Sequence, residues 1–117
     1  MKSRDRVAMG KMAAYAKELL SYVDGMDYAA FSSDSKTINA CAFLIGQLGE
    51  LTSVISDEAQ AIRSEIPWRN IKGMRNRIIH DYEKVDYIVL WKTIIESIPK
   101  LIEAIQDALE DSKETEE

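Results

Sequence analysis

The chain is poor in residues that break or staple a helix: 117 residues hold five glycines, two prolines and one cysteine. With Cys41 alone no intrachain disulfide can form, and its place in an apolar helical run makes it a small buried hydrophobe. One histidine, His80, and one cysteine are too few for a zinc site of His and Cys ligands. No glycine-rich phosphate loop of either common spacing is present. No Ser-His-Asp order suggests a triad, and no spaced pair of acids stands out as a metal site; Glu50 and Asp57 read as solvated. No stretch approaches the roughly 18 apolar residues that a membrane span needs. The first residues, charged at Arg4, Asp5, Arg6, Lys11 and Lys17, lack the apolar run of a signal peptide. A reducing cytoplasm is the expected location.

What is present suits one helical domain. Apolar residues make up 46% and charged residues 30%, ordinary for a globular chain of this length. The net charge of −5 hides a division. From Asp107 to the end there are six acids and one base, and removing them leaves 14 of each sign. We expect a domain over residues 1–110 and an acidic, disordered tail over 111–117. Between Ile66 and His80 lie Arg69, Lys72, Arg75 and Arg77 with no acid. Such a patch suits an anionic substrate, or is simply a solvated basic face.

Four helical stretches follow from the apolar spacing. The first covers Asp5 to Val23, with a stripe at Met9, Met12, Ala13, Ala16, Leu20 and Val23, and Asp24-Gly25 stops it. The second follows the capping cluster Ser32 to Ser35, with a stripe at Ile38, Cys41, Ile45, Leu48, Thr52 and Ile55. Gly46 and Gly49 inside it suggest close helix–helix approach, and a short helical piece from Asp57 to Glu65 follows. The third opens at Pro67 and runs to about His80. The fourth runs from the cap Asp86 to Leu109 with a seam at Ile88, Trp91, Ile95, Ile98, Ile102, Ile105 and Leu109. Pro99 should kink it. Leu90, Ile94 and Leu101 add a second apolar flank, economically explained by a subunit interface. The expected fold is all-α: an antiparallel up-and-down four-helix bundle that dimerises.

The chemistry concentrates in the run from Arg75 to Tyr82. At about 100° per residue, Asn76 and His80 share a helix face, while Arg75 and His80 diverge by roughly 140°. Two such helices around a two-fold axis could converge two Arg and two His on one cleft. Phosphodiester cleavage through a 2′-hydroxyl uses a base and an acid, which histidine can supply, and a cation that neutralises the phosphorane. It requires no metal.

The pattern Arg75-x-x-x-x-His80-x-Tyr82, with polar Asn76 after the arginine, resembles the signature of the HEPN superfamily. The wider block is similar to the HepT-like branch: Pro67-Trp68, Gly73 to Asn76, His80 to Tyr82, Val85-Asp86 and Trp91. The similarity spans essentially the whole chain. The resemblance implies a homodimeric, cytoplasmic, metal-independent endoribonuclease without cofactor. It would be the toxin of a toxin–antitoxin pair whose antitoxin is a nucleotidyltransferase of the MNT type. Carried over, Arg75 stabilises the phosphate, His80 is the acid/base and Asn76 supports their geometry. Tyr82 is the position that the partner can adenylylate. Arg69, Lys72 and Arg77 would guide RNA. Three structural readings stay beside these: Arg75 as ion-pair partner of Asp81 or Glu83, His80 or Asn76 as a cap, and Tyr82 as a packing aromatic. Trp68 and Trp91 read as core or interface anchors. Two other functions also stay open: a non-catalytic module that docks a nucleotidyltransferase, and a dimeric helical scaffold.

Overall fold

A computed structural model describes residues 1–80 and 84–115, and the described chain is helical with no strand. Helix α1 spans Ser3–Tyr22. It ends where Gly25 takes a left-handed turn at φ 77°, a conformation open to a residue without Cβ. Helix α2, Tyr28–Ser32, was not foreseen. Asp27 caps it by accepting from the Ala30 amide at 2.8 Å, and it buries Phe31. Helix α3, Ser35–Val54, starts at the expected capping cluster. There the Asp34 carboxylate accepts from the Thr37 hydroxyl at 2.8 Å and the Thr37 amide at 3.1 Å. Those bonds favour the charged form and hold the Asp34 carboxyl below its usual range.

Helix α4, Asp57–Ile62, is capped by Ser56. Helix α5, Trp68–His80, follows Pro67, whose carbonyl accepts the Ile71 amide at 3.1 Å. Helix α6, Tyr87–Lys92, is capped by Asp86 and passes through a π-helical turn, Thr93–Ser97, into α7, Ile98–Thr115. Helix α7 thus continues past Asp111, where the acidic tail is expected to leave the domain.

Helix α3 lies at the centre, packed on α1 and on α5, and α7 packs on the other side of α1. The whole stripe read from its sequence is buried: Ile38, Cys41, Ile45, Leu48, Thr52 and Ile55. Burial pushes the Cys41 thiol up to about 11, because the thiolate would lose its hydration. Along α1 the buried set begins one turn earlier than the stripe suggested, at Asp5 and Ala8, and takes Leu19 rather than Leu20.

The last long helical stretch departs from expectation. Its core face is Leu90, Ile94 and Leu101, assigned to a secondary flank, with the seam positions Ile98 and Ile105 and with Ala108, which neither stripe included. Ile88 and Ile95 stay 49% and 43% exposed. The π-helical turn is the reason: it widens the helix between Thr93 and Ser97 and rotates everything before it. Pro99 lies just beyond, and its ring would strike the carbonyl four residues back in a regular α-helix. Ile94 and Ile98 thereby share the core-facing side, and a strict alternation of three and four cannot be followed through the turn.

Candidate active site

Helices α3 and α5 run antiparallel. The Trp68 indole at the start of α5 donates to the carbonyls of Gln60 and Arg63, at 3.2 and 3.0 Å. Gln60 in turn donates to the carbonyls of Thr52 and Ile55 at the end of α3. Trp68 is thus a buried anchor that fixes the register, and α5 travels from there back along α3 toward His80.

The register brings Arg75 onto Gly49. A Cβ on residue 49 would stand 2.6 Å from the Arg75 Cγ and closer still to its Cβ, so only glycine allows this approach. Gly46, read in the same way from the sequence, meets nothing within 4 Å. The sequence did hold a signal that separates them. Gly49 lies about 40° around the helix from core residue Ile45, whereas Gly46 lies about 100° away.

Beyond the glycine, the Arg75 guanidinium is held at both ends. Nη2 pairs with the Glu50 carboxylate, and Nη1 donates to the Asn76 Oδ1 at 2.9 Å. Nε is buried with no acceptor among the described residues. The pair is open to solvent on one side, with side-chain exposures of 28% for Arg75 and 51% for Glu50. Glu50, read as merely solvated, is therefore a partner of the motif arginine. The structural alternatives for Arg75, Asp81 and Glu83, lie outside the described residues, as does Tyr82.

Asn76 connects the two halves of the motif. Its amide oxygen accepts from Arg75, and its position four residues before His80 puts both on one face. His80 is exposed at the end of α5, free to meet a substrate or a second chain. Arg75, held against α3, and the exposed His80 are thus about 140° apart around α5 and do not converge within one chain. Arg69 and Arg77 line a cleft between α5 and the α6–α7 stretch, while Lys72 does not. Trp91 is half-buried and packs against Phe31 and Tyr28, at centroid distances of 5.0 and 6.4 Å.

Among the described residues no three His, Cys, Asp or Glu side chains gather into a metal-holding group, and no helix is long and apolar enough to cross a membrane. A larger hollow of about 720 Å³ lies near α4 and the start of α1, beside the opposite end of α5 from His80. Acids and bases mix around it, with Lys2 and Arg63 beside Glu58 and Asp111, so its charge selects no anion.

The sequence pattern of the family described as Ribonuclease HepT-like matches residues 12–108. A provisionally named RNase of Caldanaerobacter subterraneus subsp. tengcongensis is 30% identical over 95 residues, covering 81% of this chain and 85% of that protein. A protein of Thermococcus cleftensis named "Probable ribonuclease HepT" is 41% identical over 71 residues, 61% of this chain and 64% of its own. A provisionally named RNase of Methanocaldococcus jannaschii is 28% identical over 91 residues, 78% of this chain and 84% of its own. No solved structure matches.

Proposed function

The chain belongs to the HepT-like ribonuclease family, and from that premise we propose that it is a metal-independent endoribonuclease acting through Arg75 and His80. The observation that carries the reading is the presentation of Arg75: seated on Gly49 and bonded to Asn76, the residue that shares a face of α5 with the exposed His80. A guanidinium fixed in place before substrate arrives stabilises developing phosphorane charge without reorganising.

The proposed reaction is transesterification. The 2′-oxygen forms a bond to phosphorus, and the bond from phosphorus to the 5′-oxygen breaks. One histidine takes the 2′-hydroxyl proton and another gives a proton to the leaving oxygen. The products are a 2′,3′-cyclic phosphate and a 5′-hydroxyl. One chain has one histidine, so the second is the partner's His80 in a homodimer, with Arg75 of each protomer at the shared cleft. In this reading the long helices α1, α3, α5 and α6–α7 form the up-and-down bundle. The exposed Ile88 and Ile95 are apolar surface available to a second copy.

The biological role we propose is the toxin of a toxin–antitoxin pair. An MNT-type nucleotidyltransferase would neutralise it by adenylylating Tyr82, which follows His80 by two residues and would add a bulky anion beside the site.

The test is induced expression of the wild type and of His80→Ala in a bacterial host, following growth and RNA integrity. The purified proteins are then incubated with RNA in EDTA. Growth arrest and EDTA-resistant cleavage by the wild type alone supports the nuclease. Equal behaviour of two folded, dimeric proteins would move the function to docking a nucleotidyltransferase without cleavage.

A further inference from the structure

The four bases of the motif helix are not equivalent. Arg75 turns toward α3, while Arg69 and Arg77 border one cleft of about 370 Å³ that Lys72 does not line. That volume is within the range of small-ligand pockets, about 300–1,000 Å³. The cleft lies between α5 and the stretch from Thr93 to Leu101. Its floor is apolar, from Ile45, Leu48 and Leu101.

Its polar groups are of one character. Arg69 and Arg77 bring positive charge, Thr93 and Ser97 bring hydroxyls, and Asn70 brings an amide. Among the described residues no carboxylate lines it. Thr93 and Ser97 belong to the π-helical turn, whose altered phase places both on the α5-facing side. Gly73 completes the wall at the middle of α5, where a Cβ would meet nothing within 4 Å. A helix-weakening glycine with open space before it keeps a wall low that any other residue would raise.

We propose that this cleft is a nucleotide subsite for single-stranded RNA, holding an unpaired base on its apolar floor and the adjoining phosphate at Arg77 and Arg69. The inference rests on the ribonuclease reading for its choice of ligand. The chemistry fits on each count. A base is flat and apolar on its faces and polar at its edges, which suits a greasy floor ringed by hydroxyls and an amide. The guanidiniums offer forked donors to phosphate oxygens. Arg77 precedes His80 by three residues, about 4.5 Å along the helix axis. A strand seated in the cleft would therefore cross the exposed Asn76 and His80 side of α5 with its next nucleotide.

The experiment measures binding apart from cleavage. The probe is a short fluorescent RNA with 2′-O-methyl sugars, which lacks the attacking hydroxyl, and binding is read by anisotropy at low salt. Gly73→Leu fills the cleft from an open position, and Arg77→Ala removes one charged donor. Each should weaken binding about tenfold or more, the scale of a lost charge-assisted hydrogen bond. Lys17→Ala, exposed on α1 and outside the cleft, should stay within about threefold. Unchanged affinity in a folded Gly73→Leu overturns the subsite, and so does wild type that does not bind the probe. If Gly73→Leu fails to fold, Arg77→Ala set against Lys17→Ala decides by the same criterion. Loss of dimer in Gly73→Leu would make the cleft a protein interface and overturn the proposal. Cleft-dependent binding without cleavage of unmodified RNA would sink the nuclease and leave the subsite standing. Cleavage untouched by Gly73→Leu would do the reverse.

Discussion

The stem of Arg75 lies across the bare backbone of Gly49, occupying space that a side chain at residue 49 would need. Two helices approach here more closely than larger residues allow, and the guanidinium emerges beside Glu50 and Asn76 as a result. The clash a Cβ would make is with the root of the arginine side chain, which cannot swing away without moving α5.

Gly49→Ala should therefore destabilise the protein by about 1–3 kcal/mol, the usual effect of overpacking. Gly46→Ala, with open space at its Cβ, should stabilise the helix by up to about 1 kcal/mol. Urea denaturation of the two variants checks the contrast. A Gly49→Ala protein as stable as wild type would mean that the two helices are farther apart than described.

Arg75→Ala should leave the fold largely intact, because its ion pair with Glu50 is half open to solvent and such pairs contribute about 0–1 kcal/mol. RNA cleavage should fall about 10²- to 10³-fold, as for other lost transition-state donors. Asn76→Ala should lose less, since it acts through Arg75 rather than on phosphate. Melting curves beside cleavage rates make the test. A large drop in melting temperature for Arg75→Ala would show a structural arginine.

On the final helix, Ile94→Ala should cost about 2–5 kcal/mol because Ile94 is fully buried. Ile95→Asp, one residue later but exposed, should leave the monomer folded. If Ile95 lies in a dimer interface, sedimentation will show that variant monomeric. Unfolding of Ile95→Asp instead would restore the seam read from spacing alone.

Cys41 supplies a pH prediction. Its folded-state pKa of about 11 is above the ordinary thiol value near 8.5. Unfolding therefore releases a proton at alkaline pH. The contribution to stability is complete below about 8.5 and is lost as pH rises toward 11. Cys41→Ala should flatten that part of the stability–pH curve. In the native protein at pH 8, thiol reagents should label Cys41 only as fast as the chain opens.

The sequence by itself determined the long helices, the caps that open α3 and α6, and the core stripe of α3, because apolar period and capping chemistry are local. Asp34 and Asp86 begin their helices where spacing placed them, and the α3 stripe is buried residue for residue. It also carried the site that we propose, since one histidine and one acid-free basic run leave few choices. Proximity across the chain was decided only by tertiary structure. Glu50 and Arg75 are 25 residues apart, and nothing local pairs them until Trp68 sets the register of α5 on α3. In the sequence Asp5 is only one of the charges near the start of the chain. It is 2% exposed and accepts from the Ser56 amide at 2.8 Å and the Ser56 hydroxyl at 2.7 Å, pinning α1 to the turn before α4. The face of the last helix followed the same rule: the π-helical turn before Pro99 changes the residues per turn, and no fixed period can anticipate where a helix will widen.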